Sequence, residues 1–570
     1  MPPIFSLFRN FSSTQRRVLP RLFTRGDKIL LVFFVLSFLA SGTYAGLALT
    51  DTYSDSVPAD GGSFREGIVG IPRFINPLLV ISDADRDVTS IVYTGLLRHD
   101  GKGNLALSLA EHYEISEDGL SYTFYLHRNA RWSDGAPLGA DDVIYTISLA
   151  KDPQYRSVIR PNWEGVTVEK IDDYTVIFTL AKPYAPFLEN ATLGILPKHI
   201  WREVLPAEFP LSEFNLRPVG AGPYRAVGFE QQPNGRIASY ALEANPYYLP
   251  AAPHISQIKL MFFTSAAELL EARAGNLIDT ASMSAALDVP AGDTVIRLPI
   301  ARIFGVFFNQ NSTEVLADEA VREALQYATD RQRLVTDVLH TNGIPIHTPL
   351  PISGTGALSD QAAFHLNVAS STALLERAGW TDEDNDGIRE KNINDQTIRL
   401  AFTISTTNAP DLAATARLLQ EMWKAVGADV QVAIFEIGDF EQNILRQRNY
   451  ESLLFGEVFG YDPDPFAFWH ASQRNDPGLN IALYTNPQAD TLLEKARTVT
   501  DRTARHAIYE EFQSIVLADN PAVFLYSPEY AYVPVGSIKN INLTQIVVPS
   551  DRFGSIHEWY IKTKKQWKGF

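Results

Sequence analysis

Apolar and polar positions along this chain follow two periods, and one stretch follows none. From Ile29 to Thr50 no charged residue interrupts 22 positions. As a helix rising about 1.5 Å per residue, this stretch spans roughly 33 Å, enough for the hydrocarbon core of a bilayer. Residues 51–63 are small and polar and read as a flexible stalk. Further on, Ser121 to His127 and Tyr174 to Leu180 alternate as strands. Between them Val143, Ile144, Ile147 and Ala150 predict a helix, with Asp141 or Asp142 as its cap after the turn Asp134-Gly135-Ala136-Pro137. In the second half, Val321, Ala324, Leu325, Ala328, Leu334, Val335, Val338 and Leu339 fall at helical spacing behind Asp318, a candidate cap. Leu412, Leu419, Met422, Trp423 and Val426 form another stripe, stopped by Gly427, and Asp429 to Phe435 then reads as a buried strand. Leu492, Leu493 and Ala496, then Ile508, Phe512, Ile515 and Val516, predict two more helices, and Ala522 to Tyr526 a strand. Helix and strand in turn predict an α/β layer architecture with these stripes as its core.

Charge gives the apolar stretch a direction. Arg9, Arg16, Arg17, Arg21, Arg25 and Lys28 precede it against one acid, Asp27. The positive-inside rule puts this leader in the cytoplasm and everything after Asp51 outside. A cleavable signal peptide is the alternative, with Thr43-Tyr44-Ala45 as a weak small-x-small site. The apolar run and its leader are long for that role, so a retained single-pass anchor in the cell membrane is expected. No cysteine occurs, which excludes a thiol-linked lipid, disulfides and cysteine–zinc sites. About 500 residues follow the anchor, enough for roughly three domains. The chain carries −17 despite its basic leader, so the body is acidic and a poor partner for nucleic acid.

Several chemistries are missing. There is no Gly-x-Ser-x-Gly elbow, His-Glu-x-x-His or Walker loop. Gly220-Ala221-Gly222 opens like a dinucleotide loop, but Pro223 and Arg225 replace what should follow. The eleven histidines form no pair at helical spacing. No cofactor is expected. Asp382-Glu383-Asp384-Asn385-Asp386-Gly387 has acids at positions 1, 3 and 5 of a calcium loop and glycine at 6, yet position 12 is Ile393. It reads as an exposed acidic turn, with Asp382, Asp384 and Asp386 as a weak calcium candidate. Asp462 and Asp464 are the obvious pair of acids for glycoside chemistry, two apart in a proline-rich loop.

Taken in order, several segments resemble the family 5 extracellular solute-binding proteins of ABC importers, the group with oligopeptide, dipeptide and nickel binders. They are Asn76-Pro77 with Tyr93-Thr94-Gly95-Leu96-Leu97; Leu109-Ala110-Glu111-His112-Tyr113 to Trp132-Ser133-Asp134-Gly135-Ala136-Pro137 with Ala140-Asp141-Asp142-Val143; Pro218-Val219-Gly220-Ala221-Gly222-Pro223-Tyr224; Asn245-Pro246-Tyr247-Tyr248; Arg273-Ala274-Gly275-Asn276; and Val321-Arg322-Glu323-Ala324-Leu325 through Asp330-Arg331. The resemblance spans nearly everything after Phe64. It implies a two-lobed, class II type periplasmic-binding-protein-like fold with an additional inserted domain, behind one N-terminal transmembrane helix. Mapped here, lobe I is 64–97, 218–308 and 541–570, the inserted domain 98–217 and lobe II 309–540, after a leader 1–28, an anchor 29–50 and a stalk 51–63.

The resemblance also implies a site. In peptide-binding relatives an aspartate four positions before a loop proline pairs with the ligand's amino terminus. Counting back from Pro465, that position is Tyr461. Asp462 could shift in, or Glu457 could serve, and the departure leaves room for blocked peptides, sugars or other solutes. Phe466, Phe468 and Trp469 are either part of this site or a helix packed on the core. Ile81-Ser82-Asp83 aligns with a strand whose backbone pairs with the peptide, Arg446 with a site arginine, and Arg302 is a weaker candidate. The expected function is a tethered receptor that captures peptides between two lobes and hands them unaltered to the permease subunits of an ABC importer, its body monomeric. The alternatives are an exported hydrolase on a similar scaffold, a receptor for an oligosaccharide or nickel complex, and a surface adhesion or signalling protein.

Overall fold

The computed structural model describes residues 24–283, 294–351 and 365–567. They fall into two compact units, one of residues up to Asp60 with those from Lys562 on, the other Gly61–Ile561. Arg9, Arg16, Arg17 and Arg21 of the leader lie outside the described residues.

In the smaller unit the apolar run is one helix, Arg25–Tyr53, with a mean hydropathy of 1.5 over Arg25–Tyr44. The expected flexible stalk is ordered. Ser54–Ala59 is a strand paired antiparallel with Lys562–Trp567, from Ser54 opposite Trp567 to Ala59 opposite Lys562. Its backbone groups find partners about 500 positions away, which its small polar composition does not disclose.

In the larger unit twelve strands join one sheet. One half runs Asp429–Phe435, Ala401–Thr407, Ser452–Val458, Arg302–Phe308 and then Ala522–Val533; the other continues through Thr280–Met283, Ser63–Val69, Gln257–Phe263, Ile237–Ala244 and Tyr224–Gln231. Ala522–Val533 belongs to both halves. Residues 522–526 pair with Arg302–Phe308, and 529–533 pair with Ile296–Pro299 and Thr280–Met283. The chain crosses between halves here and between Pro299 and Arg302. Arg302–Phe308, expected with lobe I, therefore pairs with Ser452–Val458 of the other half.

The cores divide the same way. One holds apolar residues from 64–262, 298–300 and 530–559. In the other half two clusters cover opposite faces of the sheet, so Leu453 enters one and Leu454 the other. A strand buried on both faces reads as a continuous apolar run. Asp429–Phe435 takes the expected bounds but not the expected burial: it is the edge strand of the sheet, and of its residues only Val430 is buried. The stripe from Val321 to Leu339 is two helices, Glu319–Tyr327 and Arg331–Asp337, and Asp318 caps the first by accepting from the Ala320 N–H.

Residues 98–217 carry their own four-stranded antiparallel sheet, Ala110–Ile115, Ser121–Leu126, Thr175–Leu180 and Val166–Asp172 in spatial order. The helix Ala140–Lys151 begins one residue before the expected caps. Gly139 is its N-cap, and Asp142 reaches back to the Gly139 N–H at 3.0 Å. The Gly220-Ala221-Gly222 turn packs on the end of the helix Asp83–Val92. A Cβ on Gly220 would stand 2.0 Å from the Val92 carbonyl oxygen, so these glycines serve close approach of two backbones.

Candidate ligand-binding cleft

The loop 460–465 leaves the strand Ser452–Val458 and enters the short helix Phe466–Trp469. Pro463 and Pro465 fix φ at two of its positions and stiffen it. Tyr461 is buried and stacks on His99, ring centroids 3.8 Å apart at 21°. His99 Nε2 lies 3.2 Å from a Glu189 carboxylate oxygen. Burial pushes the Tyr461 hydroxyl well above its ordinary pKa, and the nearby Asp551 carboxylate adds to the shift. Asp551 is held in turn by the backbone N–H groups of Val547 and Val548, both donating to Oδ2 at 2.8 Å.

The two acids of the loop are engaged by the protein itself. Arg505 donates to Asp462 Oδ2, and the Tyr509 hydroxyl donates to Oδ1 at 3.2 Å. Arg497 grips Asp464 through Nε at 3.0 Å and Nη2 at 2.8 Å, and the Tyr184 hydroxyl donates to it at 3.3 Å. Asp462 is thus not a free anion waiting for an ammonium group. The helices Pro487–Thr498 and Arg502–Asp519 bring the two arginines under the loop from more than thirty positions downstream.

The other expected site residues separate. Ser82 and Asp83 are not in a strand: Ser82 caps the helix Asp83–Val92 in a capping box with Asp85, and exposed Asp83 pairs with Arg86 at 2.9 Å. A polar run ahead of an apolar helical stripe makes a better N-terminus than a strand. Arg302 opens its strand opposite Val458, and Asp83 is the acid that acts on it electrostatically. Arg446 is half-exposed and pairs with Glu441 at 3.1 Å, on the surface. Glu457 is buried, with the fully buried Trp469 indole N–H against its carboxylate, and not open to a ligand. Phe466 stacks on His470 at 4.1 Å with the Arg497 guanidinium 3.7 Å over its ring, and Trp469 is fully buried. Both support the loop from below.

Tyr461, Asp462 and Asp464 line a cavity of about 930 Å³ with His99, Glu189 and Asp551. A second hollow of about 420 Å³ shares His99, Thr192 and Asp551 with it. Because Asp462 and Asp464 are matched by arginines and Glu164 by Arg160 at 3.1 Å, the electrostatic balance rests on Glu189 and Asp551 against Lys182. The wall is net acidic, with aromatic and amide surface beside it. His99, Glu189 and Asp551 are contributions that sequence reasoning missed. None lies in a motif, and each reaches the cavity only through tertiary contact.

Residues 104–478 match the family model for bacterial extracellular solute-binding proteins, family 5 Middle. The chain belongs to this family. Oligopeptide-binding protein AppA of Bacillus subtilis (strain 168) is 29% identical over 515 residues, covering 85% of this chain and 91% of that protein. The solved structure of AppA from Bacillus subtilis with a nonapeptide superposes with a TM-score of 0.66 at 26% identity, over 89% of this chain and 100% of that one. NikZ from Campylobacter jejuni, in complex with Ni(L-His), gives 0.67 at 27% identity over 88% and 100%. The fold is therefore the two-lobed α/β architecture of family 5 binding proteins. The family's members are binding receptors of ABC transporters, not enzymes, which removes the hydrolase alternative.

Proposed function

We propose that this protein is a membrane-anchored receptor that captures short peptides in the cavity beside Tyr461 and presents them to an ABC importer. The observation that carries the reading is the acidic excess of that cavity. Glu189 and Asp551 face it with no arginine against them among the described residues, while Asp462 and Asp464 are spoken for. A peptide's ammonium group suits the Glu189 and Asp551 side, and its carboxylate suits Lys182. The stack of Tyr461 on His99 closes one wall against water. At about 930 Å³ the cavity lies within the range of small-ligand sites, roughly 300–1,000 Å³. Ligand bridging both lobes would favour the closed form by its differential affinity. The two crossings, Pro299 to Arg302 and along Ala522–Val533, are the natural hinge strands.

Calorimetry with free and N-acetylated peptides, an oligosaccharide panel and nickel–histidine tests this. Free peptides are expected to bind, with acetylation costing about tenfold or more, as a charge-assisted hydrogen bond predicts. Glu189→Gln should produce a similar loss for free peptides and leave the acetylated ones unchanged. Binding of sugar or nickel–histidine with no peptide binding would overturn the reading. Nickel–histidine is the second ligand class, favoured by the likeness to NikZ and by the His99 imidazole on the cavity wall.

The retained anchor is part of the same proposal. The helix Arg25–Tyr53 runs unbroken through Thr43-Tyr44-Ala45 and leads directly into the paired strand Ser54–Ala59. Mass spectrometry of the membrane fraction should find the helix intact, and a mature N-terminus just after Ala45 would show cleavage instead.

A further inference from the structure

The acidic turn after Trp380 meets a buried carboxylate that its spacing does not announce. Glu390 opens the strand Glu390–Ile393, and backbone bonds to Thr381 in both directions (2.9 and 2.7 Å) fasten it beside the turn. It is only 8% exposed. One of its oxygens accepts the Glu383 N–H at 3.3 Å, and the other, Oε1, has no hydrogen-bond partner among the described residues. Carboxylate oxygens of Asp382, Asp384 and Glu390 lie within 4.8 Å of one another. Burying an unmatched carboxylate beside two others is unfavourable unless a proton or a cation neutralises it.

The surrounding cations make their direct bonds elsewhere, Arg399 reaching Glu390 and Asp384 only electrostatically. Arg399 donates to Asp386 at 2.7 Å, Lys391 to Asp318 at 2.7 Å, and Arg389 to the Trp380 and Val426 carbonyls and to Glu376. Asp386, a member of the trio expected from spacing, is therefore neutralised by Arg399, and Glu390 takes its place. Counted from Asp382, Glu390 is the ninth position, so Ile393 at the twelfth does not disqualify the loop.

We propose that Asp382, Asp384 and Glu390 bind a calcium ion. Two oxygens sharing calcium at about 2.4 Å stand no more than roughly 4.8 Å apart, which the three residues satisfy. The donors are hard oxygens with no imidazole or thiolate among them, which disfavours zinc, nickel and copper. A turn of flexible carboxylates suits calcium better than magnesium, which demands tighter octahedral geometry and sheds water reluctantly. The ion would pin the turn to the hairpin Glu390–Ile393 and Gln396–Arg399. Its role is structural and does not depend on which solute occupies the cleft.

The test uses the full chain in detergent, stripped with chelator and then titrated with calcium or magnesium chloride while thermal unfolding is followed. Terbium luminescence, with Trp380 as a nearby sensitiser, reports occupancy directly. Calcium should raise the unfolding midpoint saturably, half-maximally at about 0.1–1 mM as in extracellular calcium modules. Glu390→Gln and Asp384→Asn should each shift that concentration at least tenfold upward. Asp384 is exposed, so its variant keeps the test readable if Glu390→Gln does not fold. No saturable shift in the wild type up to about 10 mM, a wild-type titration curve in either folded variant, or magnesium acting at the same concentration as calcium would overturn the assignment.

Discussion

Glu66 and Asp87 in the first core and Glu457 in the second are carboxylates buried to the same depth, yet their surroundings differ. Arg552 lies between the first two, fully buried, donating from Nε to Glu66 at 2.9 Å and from Nη1 and Nη2 to Asp87 at 2.8 and 2.7 Å. The Tyr532 hydroxyl adds a bond to Glu66 at 3.0 Å. Glu457 has no cation against it among the described residues, and burial pushes its pKa well above the ordinary range, with the Trp469 indole N–H opposing the shift. In the first core Arg552 opposes the shift that burial imposes, so that Asp87 rises only to about 6, whereas no cation opposes the shift of Glu457 in the other. Each arrangement sits one residue from the cleft wall, Arg552 beside Asp551 and Glu457 beside Val458. The difference teaches what each device does for the fold. The triad joins the strand Ser63–Val69 and the helix Asp83–Val92 to a segment more than 460 positions downstream and fixes their register, whereas an acid without a counter-charge ties nothing together.

Removing the counter-charge should have the largest effect. Arg552→Met leaves two carboxylates buried without a cation, and breaking a buried pair in this way costs about 3–5 kcal/mol. Thermal or urea unfolding of the full chain measures it, and Asp87→Asn in the same background should recover part of the loss. Destabilisation below about 1 kcal/mol would mean that the triad does not act as a unit.

The triad also marks where sequence reading stops. Asp429–Phe435 and the Asp318 cap were legible because their signals are local: an apolar run after Gly427, and an acid just ahead of a helical stripe. The family could be read from the order of short motifs along the body. Glu66, Asp87 and Arg552 carry no such signal, since 486 and 465 positions separate Arg552 from the two acids that only the fold brings to it. The same limit hid the pairing of Ser54–Ala59 with Lys562–Trp567 and the arginines that claim Asp462 and Asp464. Loop composition at 460–466 pointed to a segment that lines the cavity. Which of its groups are free to meet a ligand depends on neighbours that periodicity does not encode.

His557 sharpens the comparison, because it lies in the first core yet is neutralised as Glu457 is, by losing its charged form. It is 6% exposed, packs edge-on to Tyr248 at 5.4 Å, and lies 3.8 Å from Glu558. Burial brings its pKa down to about 4, helped by Arg98 and His254. The folded value lies below the unfolded one, so its contribution is complete above about pH 6.5 and is lost as pH falls toward 4. The loss over that window amounts to about 3 kcal/mol at most. His557→Gln should flatten the acid arm of the stability curve relative to wild type, as measured by urea unfolding at a series of pH values. An unchanged slope would mean that His557 titrates normally, and that the first core depends on counter-charge alone.

Near pH 4 Glu457→Gln gives the smallest effect, and across pH it separates the two devices most cleanly. The glutamine keeps the shape and cannot ionise. In the wild type the folded pKa is raised above the unfolded one, so the folded state holds a proton that the unfolded state has released. Stability from this group is therefore present below the unfolded value, near 4.5, and declines as pH rises toward the folded value. The decline approaches about 1.4 kcal/mol per pH unit for one proton, opposite in sign to the His557 slope. Wild type and Glu457→Gln should unfold at similar urea concentrations near pH 4, with the variant gaining an advantage that widens as pH rises. A constant offset across that range would mean that a cation reaches Glu457, and the two cores would then neutralise their acids in the same way.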